Sequence, residues 1–176
     1  MTLSNDFIWL YLVEELGEEM GNRKFSPMPA KVQFRRMGQA GFQNCLFNIT
    51  TYEDVVYIEV QLGVRIDKIE EIVFPYTRSS LSFKEDSHTL LISEAKLLGK
   101  RIKRYKIRDV YELDYAIHQI NNFLWSQGFR FLAENRSLAK AETLLNAQPE
   151  APSLFFHNQF HRYLKGITAA YVTRKP

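Results

Sequence analysis

Between residues 42 and 64, hydrophobic and polar positions alternate in two runs set either side of Thr51-Tyr52-Glu53-Asp54. In the second run Val56, Ile58, Val60, Leu62 and Val64 fall on one side, and Tyr57, Glu59 and Gln61 on the other. In the first, Cys45, Phe47 and Ile49 alternate with Leu46, Asn48 and Thr50. A period of two sends successive side chains to opposite faces of a pleated strand. The pattern predicts an antiparallel hairpin with one face in a core and the other partly wet.

On either side of the hairpin the period turns helical. Ser4 or Asn5 serves as N-cap for a helix running to about Met20, with Gly21-Asn22 as a left-handed stop. Ile8, Tyr11, Leu12 and Leu16 trace its stripe, while Phe7, Trp9, Leu10 and Val13 widen it to other faces, which suits a sandwiched or interface helix. Pro27 and Pro29 precede a short strand over residues 31–36, and Gly38 and Gly41 mark the turn into the hairpin. Ile66, Ile69 and Val73 predict a short helix that Pro75 ends. Residues 77–87 read as a polar loop, with Leu81 and Phe83 suited to an edge strand, and residues 89–93 and 101–107 as short strands.

Asp109-Val110-Tyr111-Glu112 has capping-box spacing, and Val110, Leu113, Ile117, Ile120 and Leu124 then repeat at three and four, with Gly128 as C-cap. A helix over residues 129–146 follows, and a last one over residues 153–171 carries an aromatic stripe of Phe156, Phe160, Tyr163, Leu164 and Ile167. Strands early and helices late predict an α+β fold, an antiparallel sheet of three to five strands packed against several helices. Residues 1–176 form a single domain in this reading: N-terminal helix 1–22, mainly sheet with one helix over 30–108, helical over 109–173.

Composition narrows the classes. With 45% hydrophobic and 14% aromatic residues in 176, the chain buries a sizeable core without disulfide or metal staples. Its single cysteine, Cys45, falls on the inward hairpin face and reads as a small hydrophobe. The N-terminus lacks a basic lead and carries Asp6, Glu14, Glu15, Glu18 and Glu19, and residues 7–13 are too few to span a bilayer. A cytoplasmic protein with no membrane partner is expected.

The net charge of +3 hides an asymmetry. Lys96, Lys100, Arg101, Lys103, Arg104, Lys106 and Arg108 lie within thirteen residues that hold no acidic one. Setting those seven apart from the 23 basic residues leaves 16 against 20 acidic. The stripe suits a phosphate-lined partner, with Lys103, Arg104 and Tyr105 as contacts and Tyr105 available for stacking. It equally suits a solvated edge strand, or pairing with the acidic half of the first helix.

Chemistry-bearing sets are sparse. His157 and His161 stand at i and i+4, but Asn158 breaks the metalloprotease pattern and no third ligand is in view, so no metal is expected. Asp114 and His118 share a helix face without a partner nucleophile. The glycines match no phosphate cradle, no cofactor is expected, and catalytic residues are unassigned. Tyr57, Glu59 and Gln61 on the wet hairpin face are the other candidate ligand contacts.

Phe47-Asn48-Ile49, the run from Val56 to Val64 and Phe129-Arg130-Phe131-Leu132 resemble, in order, a bacterial family known only as a domain of unknown function. The resemblance covers roughly residues 34–145 and implies a small cytoplasmic α+β protein with an antiparallel sheet, and no catalytic residues to carry over. Together these readings favour a non-enzymatic binding or interaction domain whose partner is another protein or a second copy. Nucleic-acid binding through residues 96–108 is the alternative, and a small enzyme of unknown reaction the third. The apolar first helix and aromatic last helix either bury each other or build a dimer.

Overall fold

A computed structural model describes residues 3–156 and 158–174. The chain opens with α1 (Asn5–Asn22), whose N-cap Ser4 accepts from the Phe7 amide at 3.2 Å. The left-handed residue that closes it is Lys24 (φ 65°), not Gly21 or Asn22. Six strands follow: β1 (Ser26–Met28), β2 (Gln33–Gly38), β3 (Gly41–Thr51), β4 (Val56–Ile66), β5 (Leu90–Ser93) and β6 (Tyr105–Ile107). They build one antiparallel sheet in the order β1-β2-β3-β4-β5. The second edge of β4 is shared, β5 pairing along Gln61–Val64 and β6 along Val56–Ile58. The helices are α2 (Asp67–Val73), α3 (Glu94–Leu97), α4 (Val110–Phe123), α5 (Phe129–Glu134), α6 (Leu138–Asn146) and α7 (Gln159–Arg174).

This is the α+β arrangement that the periodicities predict, with its N-terminal helix and helical final third. The sheet has one strand beyond the expected range, because β1 is three residues long, contains Pro27 and shows no period. Four further differences are local. Leu81 and Phe83 sit exposed in a 3-10 segment, Leu81–Asp86, instead of an edge strand. Gly128 lies inside a π-helical segment, Leu124–Gly128, that carries α4 into α5, so it caps nothing. The expected helix over 129–146 is broken at residues 135–137, where Ser137 caps α6. The last helix starts at Gln159, because residues 149–156 contain two prolines and run irregularly.

Strands β3 and β4 pair from Gly41↔Ile66 to Thr51↔Val56. That register puts Cys45, Phe47, Ile58, Val60, Leu62 and Val64 on one face, all buried. The apolar stripe of α1 covers this face: Trp9 lies 5.4 Å from the Phe34 ring and 6.4 Å from Phe47, over an edge-on Phe34–Phe47 pair. Leu113, Ile117 and Ile120 of α4 join the same core. The N-terminal and last helices do not form a pair with each other: α1 packs against α4, and α7 against α6 and α2.

The opposite face is wet only near the hairpin turn, where Tyr57, Glu59 and Gln61 are half-buried. Farther along it is roofed by residues 81–88. Asp86 takes Lys31 at 2.5 Å and Arg35 at 2.6 Å, and Arg65 donates to the Lys84 carbonyl at 2.7 Å. Beneath that roof Asn44 donates to Gln33 Oε1, and its own oxygen meets His88 Nε2 at 3.0 Å. Since Oδ1 is an acceptor, Nε2 carries the proton.

Gly63 makes the contact possible, because a Cβ there falls 2.1 Å from Asn44 Oδ1 and 2.3 Å from His88 Cδ2. Gly63→Ala is expected to cost about 1–3 kcal/mol by overpacking. A denaturant midpoint unchanged from the native chain's contradicts this packing.

Candidate functional site

Tertiary folding brings the two sequence-named surfaces together. Because β6 pairs with β4, Lys106 sits opposite Tyr57, and Arg104 forms an ion pair with Glu59. Tyr52 from the turn packs edge-on against Tyr57 at 5.7 Å. Gln61 pairs with Ser93 of β5. Lys103 places its ammonium 4.3 Å over the Tyr105 ring.

Tyr105 corrects the expectation of a stacking surface. It is buried on the core face, and its hydroxyl donates to Glu94 Oε1 at 2.6 Å. Burial, with the Glu94 carboxylate, pushes the phenol up, and burial pushes the Glu94 carboxyl up as well. Arg108 is tied to Glu112 one turn on. The stripe therefore runs along the outer side of β4 and its loop, with Arg104 and Arg108 held by carboxylates, and it lines neither cleft described below.

The remaining candidates do not converge. Asp114 stands beside Tyr11, whose phenol is raised by desolvation and then by the Asp114, Glu15 and Glu14 charges. No hydrogen bond or ion pair joins Asp114 to His118 among the described residues. Cys45 is fully buried, and burial first, then the Glu94 charge, pushes its thiol far up. His157 lies outside the described residues. His161 lines a cleft of about 560 Å³ with Tyr76, Thr77 and Phe160. Among the described residues, no group of three or more His, Cys, Asp or Glu is placed to hold a metal.

A different site emerges at the far end of the sheet. Four segments wall a cleft of about 850 Å³: the end of α1 with the turn after it, the β2–β3 hairpin, the end of β4 and the link into α6. They supply Arg23, Lys24, Arg36, Arg65 and Arg136, and among the described residues no carboxylate lines the cleft. Arg23 pairs with Glu19 and lies 4.3 Å over Trp125 and 4.1 Å over Phe129, while Arg65 pairs with Asp67. Lys24, Arg36 and Arg136 have no ion-pair partner among the described residues.

Arg36 is held rigidly. Its Nε donates to Gln43 Oε1 at 3.0 Å, its Nη1 donates to the Arg23 carbonyl at 3.2 Å, and its guanidinium stacks 4.6 Å from the Phe25 ring. Burial first, then the charges of Arg136 and Arg23, pull its pKa below the usual guanidinium value. Like charges are thus forced into one cavity. The chain offered only two local signals of it, the pairs Arg23-Lys24 and Arg35-Arg36, while Arg136 comes from a hundred residues on.

Comparison with known proteins finds no family model, no curated protein and no solved structure that matches this chain.

Proposed function

We propose that this chain is a non-enzymatic protein-interaction domain that pairs with a second copy of itself through the outer face of α7. The observation that carries the reading is the inverted amphipathicity of that helix. Its buried residues are Arg162, Lys165, Gly166, Thr168 and Ala169. Phe160, Tyr163, Ile167 and Tyr171, spaced at three and four along one face, are exposed instead, Ile167 by 69%. Ordinary surface helices turn the other way.

Polar anchoring explains the inversion. Arg162 donates to the carbonyls of Leu145, Gln148, Pro149 and Ala151, which end α6 and the turn after it. Cations at a helix C-terminus satisfy its orphan carbonyls and its dipole. Gly166 lets α6 approach, and Asn146 donates to the Gly166 carbonyl at 3.0 Å. With 162, 165 and 166 committed inward, helical spacing leaves the aromatic stripe outward.

From Asn158 to Val172 no exposed residue of the segment is charged. Two identical faces related by a two-fold axis therefore meet without like-charge repulsion. Tyr76, which shares a cleft with Phe160, extends the patch as far as the exposed Arg78 of the same cleft, the one charge beside it among that cleft's described lining residues. Five half-exposed large side chains on each copy bury about 1,000 Å² in all, the lower bound for a specific interface.

Sedimentation velocity tests the reading. The native chain is expected to dimerise below about 100 µM, and the Tyr163→Glu, Ile167→Glu double variant to stay monomeric with unchanged helical content. A monomer throughout, or a dimer indifferent to both charges, overturns it.

A further inference from the structure

Independently of the α7 face, we infer that the cleft among Lys24, Arg36 and Arg136 is a binding site for the phosphoryl group of a small organic phosphate. Folding would not gather these cations for stability: no carboxylate among the described residues lines the cavity, and Arg36 is disfavoured by its neighbours. An anion entering there gains from all three at once and relieves their mutual repulsion.

The donor set matches phosphate more closely than carboxylate. Arg23 and Arg65 already carry carboxylate partners, so the unneutralised charge comes from Lys24, Arg36 and Arg136. Those three reach the cavity from the turn after α1, from β2 and from the link into α6, so they approach a ligand from separate walls. A tetrahedral dianion presents oxygens in several directions, whereas a planar carboxylate offers two in one plane. Two of the donors are guanidiniums, whose fork suits phosphate oxygens.

The rest of the lining says what else the ligand carries. Met37, Phe42 and Leu138 bring apolar surface to the same cavity, and Gln39 and Asn22 bring neutral polar groups. At about 850 Å³ the cleft is of metabolite size, larger than a bare phosphate ion needs. A phosphate ester with an organic body fills it: the phosphoryl end among the cations, the body against Met37 and Leu138.

Titration calorimetry at constant ionic strength, on the full chain, decides the matter with pyrophosphate as probe and tricarballylate as a carboxylate of comparable charge. Pyrophosphate is expected to bind the native chain at least about tenfold more tightly than tricarballylate. Binding is expected to weaken by about tenfold or more in a Lys24→Gln, Arg136→Gln variant, both exposed positions whose loss leaves the core intact. Equal affinity for the two probes overturns the phosphoryl assignment. Absent pyrophosphate binding, or binding undiminished in the variant, overturns the site. Arg36 is left in place because its contacts to Gln43 and the Arg23 carbonyl hold the hairpin. None of these results depends on whether the chain dimerises.

Discussion

Lys165→Ala is expected to destabilise the chain by about 3–5 kcal/mol, the cost of leaving a buried charge without its partner. Lys165 of α7 is buried, and its ammonium lies 2.9 Å from Glu70 Oε1 and also donates to the His88 carbonyl. Glu70, on α2, is only 1% exposed; besides Lys165 it has the Thr89 hydroxyl, which donates at 3.0 Å and in turn accepts from the Ile66 amide at 2.9 Å. Truncating the lysine strands that carboxylate in the interior with a single hydroxyl donor. Replacing the pair together, Lys165→Met with Glu70→Leu, removes both charges and is expected to recover most of the loss. Chemical denaturation of the three proteins gives the comparison. A single variant within about 1 kcal/mol of native shows that α7 is held by something other than this ion pair.

Acidification is expected to weaken the fold through His88. An unfolded histidine titrates near 6.5. In the native chain burial first, then the charges of Lys165 and Arg35, lower His88 to about 3, with Asp86 opposing and Arg65 adding to the shift. Between those values the unfolded chain binds a proton that the native chain refuses. Stability is therefore complete above about pH 6.5 and falls as pH is lowered, by about 1.4 kcal/mol per unit, or about 2 kcal/mol at about pH 5.

Glu94 works in the opposite sense. Its raised carboxyl contributes stability at acidic pH that is lost as pH rises through its native pKa. The informative quantity is thus the difference between the native chain and His88→Gln, in which the Glu94 contribution cancels. Parallel stability curves for the two proteins between about pH 7 and pH 5 contradict a neutral, enclosed His88.

Much of the fold was legible in one dimension. Alternation from residue 42 to 64 identified the central hairpin and its inward face, since the faces of a strand follow directly from parity. Ser4 and Asp109 announced the starts of α1 and α4, because a cap acts on amides two or three residues away. Boundaries that depend on longer-range packing were not legible. Gly128 resembles a helix stop, yet the Leu124–Gly128 segment winds on into α5, and Gly128 is buried, with a Cβ there meeting Leu62 of β4 at 3.6 Å. Of the aromatic stripe expected on the last helix, Phe160, Tyr163 and Ile167 share one exposed face, while Phe156 precedes the helix and Leu164 packs against the core; periodicity alone does not say which stripe is buried when polar residues find carbonyls and a carboxylate inside.

The same division separates the sites. Tyr57, Glu59, Gln61, Lys103 and Arg104 are candidates in the sequence because each belongs to a local run, and pairing of β6 with β4 sets Lys106 opposite Tyr57 and Arg104 against Glu59. Tyr105 was misassigned, since within the basic run nothing marks the core-facing positions until the strand register is known.

What this amino-acid order determined alone is therefore the central hairpin with its core side, the main helices and the N-caps of α1 and α4, all properties of residues within a turn or a pleat of one another. Tertiary structure decided the buried His88–Asn44 contact, the outward turn of α7 and the gathering of Lys24, Arg36 and Arg136 into one cleft. Each of those depends on groups tens of residues apart being brought within a few ångströms, where desolvation and Coulomb forces act on position in space and not on position in the chain.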